Sequence, residues 1–164
     1  MEADAPWYEA AMVVGITNAL NVVADAPLPL PDERAVPAAA AKTIDEIKAF
    51  YDRADVPLAF RFIATDPGYL ADVWGATRHA FSDNKLSRRL KESLAFAVSL
   101  TTRSEFGTAF HLGEMRRLGV GERGVMEVLG VTQMFSSYTK IADTLQLEPD
   151  MGDIAPVDPT PPTA

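Results

Sequence analysis

The chain has 164 residues, 23 acidic against 15 basic side chains, a formal charge of −8 and no cysteine. Its length and a hydrophobic share of 48% suit one compact domain with its own core. The acidic balance argues against nucleic acid or an anionic membrane as partner. The missing cysteines exclude disulfides, thiolate metal sites and thiol redox chemistry by this chain.

The opening MEADAPWYEA is acidic and lacks the basic start of a signal peptide. The apolar run Ala10 to Ala24 contains Thr17, Asn18 and Asn21 and is too short to span a bilayer, so a soluble cytoplasmic protein is expected. A first helix is predicted from Pro6, which suits a first helical turn, to about Val23, with Trp7, Ala11, Val14 and Leu20 as its apolar stripe. Residues 25–42 are Pro/Ala-rich, with four prolines between 25 and 38, and read as an extended connector.

Thr43 and Glu46 have capping-box spacing and predict a helix with Ile44, Ile47 and Phe50 on one side, ending before Pro57. Val56 to Ile63 fits either a short helix or an extended segment, with a helix favoured by its surroundings. Asp66-Pro67 is an N-cap and N1 pair that opens a helix to about Phe81, with Leu70, Val73, Trp74 and Phe81 inward. After a polar loop, Ser82 to Lys85, Arg88 to Leu100 is apolar on nearly every side and reads as a buried helix. A break near Thr101 to Ser104 leads to a second helix capped by Ser104 and stopped at Gly119, with Arg116 and Arg117 in its last turn. Glu122 to about Gly130 and Val131 to Leu147 are predicted as a short and a longer helix, with Met134, Phe135, Tyr138, Ile141, Ala142 and Leu145 at helical spacing. Residues 1–147 thus form one all-α domain of six to eight helices around the hairpin Arg88 to Leu118. The acidic, proline-rich tail 148–164 is expected to be disordered.

Chemistry concentrates in the hairpin. Glu92 and Ser99 lie two turns apart on one face of the first helix, and Ser104, Gly107 and His111 form a stripe on the second. A carboxylate on a buried helix needs a partner. Glu92 has two readings that are compatible: an ion pair with Arg88 or Arg89, or a proton acceptor beside His111. His111 is either a satisfied interface histidine or a group that passes protons near neutral pH. Ser104 is a helix cap that can also donate to a substrate; at about 1.5 Å of rise per residue, His111 is too far along the helix to activate it as a nucleophile. Arg103 is a surface residue or a clamp for a substrate carboxylate. Tyr138 is a core residue with a satisfied hydroxyl or a pocket-lining one. His79 and His111 have no ligand spacing, so no metal site is expected. Gly119, Gly121 and Gly124 match GxGxxG only as helix punctuation.

The stretch LSRRLKESLAFAVSLTTRSEFGTAFHLGEMRRLG followed by LGVGERGVMEVLGVTQMFSSYTKIADTLQL resembles the alkylhydroperoxidase-D/carboxymuconolactone decarboxylase superfamily. In the peroxidase branch a Glu precedes a CxxC that opens the next helix, with a His one turn later. On this sequence Glu92 and His111 take the Glu and His positions, Ser104 and Gly107 take the two cysteine positions, and Phe106 falls between them. Without thiols the peroxidase reaction is excluded, and the resemblance tilts toward the decarboxylase branch, which does without CxxC. It implies an AhpD-like helical bundle assembled as a trimer or hexamer. It also implies a lyase or isomerase that needs no cofactor, in which Glu92 and His111 move a proton on a small carboxylated or lactone-like metabolite. Arg103, Ser104, Phe106 and Tyr138 would bind that substrate, with Phe96 and Phe110 also lining the pocket. The alternative is a non-catalytic oligomeric scaffold or small-molecule binding protein that has lost its redox cysteines. A hydrolase using Glu92 to activate water is weaker, because no nucleophile elbow is present.

Overall fold

The computed structural model describes residues 5–32 and 36–147, so the expectation of a disordered tail lies outside the described residues. Among the described residues there are seven α-helices and no strand: α1 Ala5–Ala24, α2 Ala41–Tyr51, α3 Leu58–Ile63, α4 Pro67–Phe81, α5 Arg88–Thr102, α6 Glu105–Arg117 and α7 Glu122–Leu145. None of these is long and apolar enough to cross a membrane.

Local chemistry sets most boundaries. Asp66 accepts hydrogen bonds from the Gly68 and Tyr69 amides and starts α4, with Pro67 in the first turn. Ser87 caps α5 through the Leu90 amide, and Ser104 caps α6 through the Gly107 amide. Arg103 joins α5 to α6 in a left-handed conformation (φ 59°), and Gly119 ends the hairpin at φ 83°, where a Cβ is strained.

Two boundaries depart from the sequence pattern. The Thr43/Glu46 capping box is not used: a 3₁₀ turn, Ala38–Ala40, runs straight into α2 from Ala41, leaving Thr43 inside the helix. Glu46 instead accepts from the Trp74 indole (3.1 Å). In addition, α7 is one helix of 24 residues, about 36 Å long, rather than a short and a longer one. Gly130 is tolerated within it, because glycine weakens a helix by only about 1 kcal/mol and keeps its amide donor.

The centre is the α5–α6 hairpin with α1 laid across it. Leu20, Ile47, Tyr51, Phe60, Leu70 and Trp74 form the largest apolar cluster, between α1, α2, α3 and α4. Val13, Ala80, Phe81 and Ala95 join α1 and α4 to α5. Phe96, Met115 and Val125 join α5 and α6 to the start of α7. The buried face of α1 is Val13, Thr17, Leu20, Asn21 and Ala24; of the expected stripe only Leu20 is buried, and Trp7 is 77% exposed. The correction has a polar cause, since Asn21 turns inward to meet Ser99 of α5.

Candidate functional site

The hairpin brings together the two residues at the centre of the sequence argument. Nδ1 of His111 on α6 lies 2.8 Å from Oε2 of Glu92 on α5, and the two residues are 3% and 0% exposed. A carboxylate can only accept, so Nδ1 carries the hydrogen of this bond and Nε2 is left as the basic nitrogen. The ring is held from two sides. Phe81 lies parallel to it at 5.8 Å, and Phe110 presents an edge at 5.2 Å.

Glu92 also faces Arg88, one turn earlier, whose Nε is 3.5 Å from Oε1. That distance makes an ion pair without a hydrogen bond, and both atoms are otherwise buried and unpartnered. The guanidinium is committed elsewhere. Nη2 donates to Glu114 (3.0 Å), Nη1 donates to the Phe50 carbonyl (2.9 Å), and the group sits 3.8 Å over the Phe50 ring. Glu114 in turn accepts from Nη2 of Arg117 at 2.6 Å. That bond raises the proton affinity of Arg117 still further, beyond what its partial burial takes away. The Tyr51 hydroxyl is fully buried nearby; burial first, then the Glu92 carboxylate, push its ionisation far above the usual range. Glu92, Glu114, Arg88 and Arg117 sum to zero charge when His111 is neutral, which is how two carboxylates are accommodated away from water.

The other singled-out residues do not join the pair. The Ser99 hydroxyl donates to the Ala95 carbonyl and therefore accepts from Nδ2 of Asn21 (3.0 Å). This fixes the amide orientation and leaves Asn21 Oδ1 buried without a partner, against Gly107. A Cβ at Gly107 would overlap both Asn21 and Ser99, so the second cysteine position of the resembling motif is filled from α1. Ser104 is buried with its oxygen taken by the Gly107 amide. Phe106 is half-buried and stacks on Phe110 at 5.5 Å, one residue removed from the imidazole. Arg103 is exposed at the turn, and His79 is exposed on α4. Phe96 packs toward α7 rather than beside His111. Tyr138 is 57% exposed on α7, a correction to its expected core place, because the apolar side chains of that helix from Val131 onward are uncovered by this chain.

Sequence reasoning missed Glu114, Asn21 and Tyr51. Glu114 carried a signal: it lies three residues after His111 and so shares its face. Asn21 and Thr17, one turn apart on an apolar helix, carried another. Three cavities open elsewhere. One of about 470 Å³ lies where the connector meets α2 and α3, lined by Val36, Ile44, Asp45, Lys48 and Val56 among others. The second, of about 270 Å³, lies between α1, α3 and α4, and the third against the end of α7. Neither Glu92 nor His111 lines any of the three.

The arrangement of helices is that of the AhpD core. It aligns with the crystal structure of the alkylhydroperoxidase AhpD core from Rhodospirillum rubrum at a TM-score of 0.71 and 19% identity, over 80% of this chain and 99% of that one. Residues 67–147, just under half of the chain, match the family model of the Carboxymuconolactone decarboxylase family, and the chain resembles that family in sequence and the AhpD core in fold while carrying no cysteine. No curated protein sequence gives a match.

Proposed function

We propose that the chain is an acid–base enzyme of the carboxymuconolactone decarboxylase type, needing no cofactor and acting on a small carboxylated or lactone-like metabolite. The observation that carries this reading is the buried 2.8 Å contact between His111 and Glu92. Nε2 of His111 takes the proton from substrate, and Glu92 stabilises the imidazolium that forms and keeps the tautomer. Phe106 borders the approach, and Arg103 at the exposed turn orients the substrate acid. Ser104 and Tyr138 are weaker members, the first because its oxygen is already used and the second because it is exposed in this chain. The test is turnover on a panel of lactones and unsaturated dicarboxylates. His111→Ala should lower kcat by at least about tenfold while the far-UV spectrum stays unchanged. Unchanged turnover removes the assignment.

Assembly as a trimer or hexamer belongs to the same proposal. Val131, Met134, Tyr138, Ile141 and Leu145 repeat at three- and four-residue steps and are exposed, as Phe135 beside them is. This is the spacing of a helix-pairing seam, and its charged neighbours Lys140 and Asp143 fall on the far side of α7. A second copy fits it, because like helices meeting there bring no like charges together. Phe135→Lys should give monomers in sedimentation, and an unaltered mass would count against this surface.

A second reading, a non-catalytic binding protein, is favoured by one observation: the 470 Å³ cavity is remote from the pair. Compounds found by thermal shift separate the two. Stabilisation lost in Lys48→Ala and kept in His111→Ala, with no turnover, favours binding.

A further inference from the structure

Acid–base work by His111 and Glu92 uses two of the five charged or titratable side chains in this cluster. The remaining three have an arrangement that the bare pair does not need. Arg88 stands between two buried carboxylates, 3.5 Å from Glu92 and 3.0 Å from Glu114. It cannot shift freely toward either, because the Phe50 carbonyl and ring hold it from α2. Glu114 has a second cation in Arg117, which is a third exposed and also feels the carboxylates of Glu92 and Asp52. The Arg88 charge is therefore divided, with the better hydrogen bond going to Glu114 and the looser contact to Glu92.

The groups facing the pair from each neighbouring element are few. From α2 come the Tyr51 hydroxyl and, near Arg117, Asp52. From α4 comes the apolar face of Phe81. From α1 the nearest charge is Glu9, bound to Lys91 on another side of α5. The charges of α7 pair outward, Glu122 with Arg116 and Arg123 with Glu127. Arg88 and Glu114, with the more exposed Arg117 behind Glu114, are thus the ionic neighbours able to bias where the proton of the pair resides.

We infer that Arg88 and Glu114 are positioning residues that set the proton affinity of the Glu92–His111 pair in opposite senses, Arg88 lowering it and Glu114 raising it by holding part of the Arg88 charge. A cation removed from beside the pair makes the pair keep its proton to higher pH. An anion removed there leaves the Arg88 charge less compensated beside Glu92 and makes the pair release the proton at lower pH. The inference rests on the acid–base reading for its purpose and not for its test.

The experiment follows the His111 ring signals by NMR against pH in the full chain, so no substrate is required. Arg88→Met should move the midpoint up, the sense expected when a neighbouring cation is lost. Glu114→Gln should move it down by a smaller amount, and Arg88→Lys, which keeps the cation, should restore most of the wild-type midpoint. If Arg88→Met unfolds, Glu114→Gln still decides, since its midpoint must fall while that of Arg88→Lys stays near the parent. A network that only holds geometry would send every variant toward one common midpoint as the pair comes apart. Arg88→Met and Glu114→Gln midpoints that move in the same direction, or a Glu114→Gln midpoint that does not move, overturn the inference. Opposite movements support it even if no variant, nor the parent, turns over any substrate; that outcome removes the enzyme reading alone.

Discussion

Lys91 and Glu92 are neighbours on α5, both with no exposed side-chain surface, and they sit in charge clusters of opposite kinds. Lys91 is closed off. Its ammonium donates to the Ser82 carbonyl at 2.6 Å and pairs with Glu9 at 3.0 Å, while Glu9 also accepts from the Lys85 and Leu86 amides. Every strong group there is partnered, and the result ties α1 to the loop before α5. Around Glu92 the charge is shared among five side chains, one carboxylate oxygen has no hydrogen bond, and an imidazole keeps a basic nitrogen. Buried charge alone does not mark chemistry. What separates the clusters is a titratable base with an uncommitted nitrogen.

The largest effect is expected in the closed cluster. Lys91→Ala leaves the Glu9 carboxylate without its cation and removes a fully buried side chain, so stability should fall. Denaturant unfolding should show that loss, with the NMR midpoint of His111 unmoved; a moved midpoint would mean the clusters are coupled. The same pair predicts an acid limb. Burial pushes the Glu9 carboxyl up, but the Leu86 and Lys85 amides and the Lys91 ammonium outweigh it and hold the carboxyl at about 2, against an ordinary value of 4.5. A carboxyl lowered on folding stabilises in full above the higher value, and that contribution fades as pH falls toward the lower one. Glu9→Gln should therefore flatten the pH dependence of the melting temperature between about 4.5 and 2. A smaller effect is expected next to the second cluster. Gly107→Ala crowds Asn21 and Ser99 and should destabilise by roughly 1–3 kcal/mol, with most of it relieved by also shortening Asn21. Persistence of the full loss in the double variant would place the strain elsewhere.

The helices that read well in sequence were those with their own punctuation. Asp66-Pro67, Ser87, Ser104 and Gly119 set α4, α5 and α6 through contacts within a few residues, and no partner from afar is required. The pairing of Glu92 with His111 was legible for a related reason, because a short turn between two helices forces their facing stripes together. Failures came where distant contacts decide. Thr43 lost its capping role to a turn on its N-terminal side. Thr17 and Asn21 displaced the apolar stripe of α1, with the Asn21 amide turned inward to donate to Ser99 while Trp7 and Val14 stay exposed. Glu114 passed unnoticed because its partners, Arg88 and Arg117, lie on either side of the turn that joins α5 to α6. Tyr138 was placed inside on spacing alone, which finds the apolar face of a helix without saying whether this chain covers it.

The amide of Asn21 occupies the volume that a side chain at position 107 would need. Installing two thiols at positions 104 and 107 would thus take at least three changes, with one of them on a helix more than eighty residues upstream. Either cysteine introduced singly meets a penalty before any redox benefit can appear: at 107 a steric one, at 104 the loss of the oxygen that caps α6. The first helix acts as a latch on position 107, keeping a side chain out of that corner of the hairpin for as long as Asn21 stays in place.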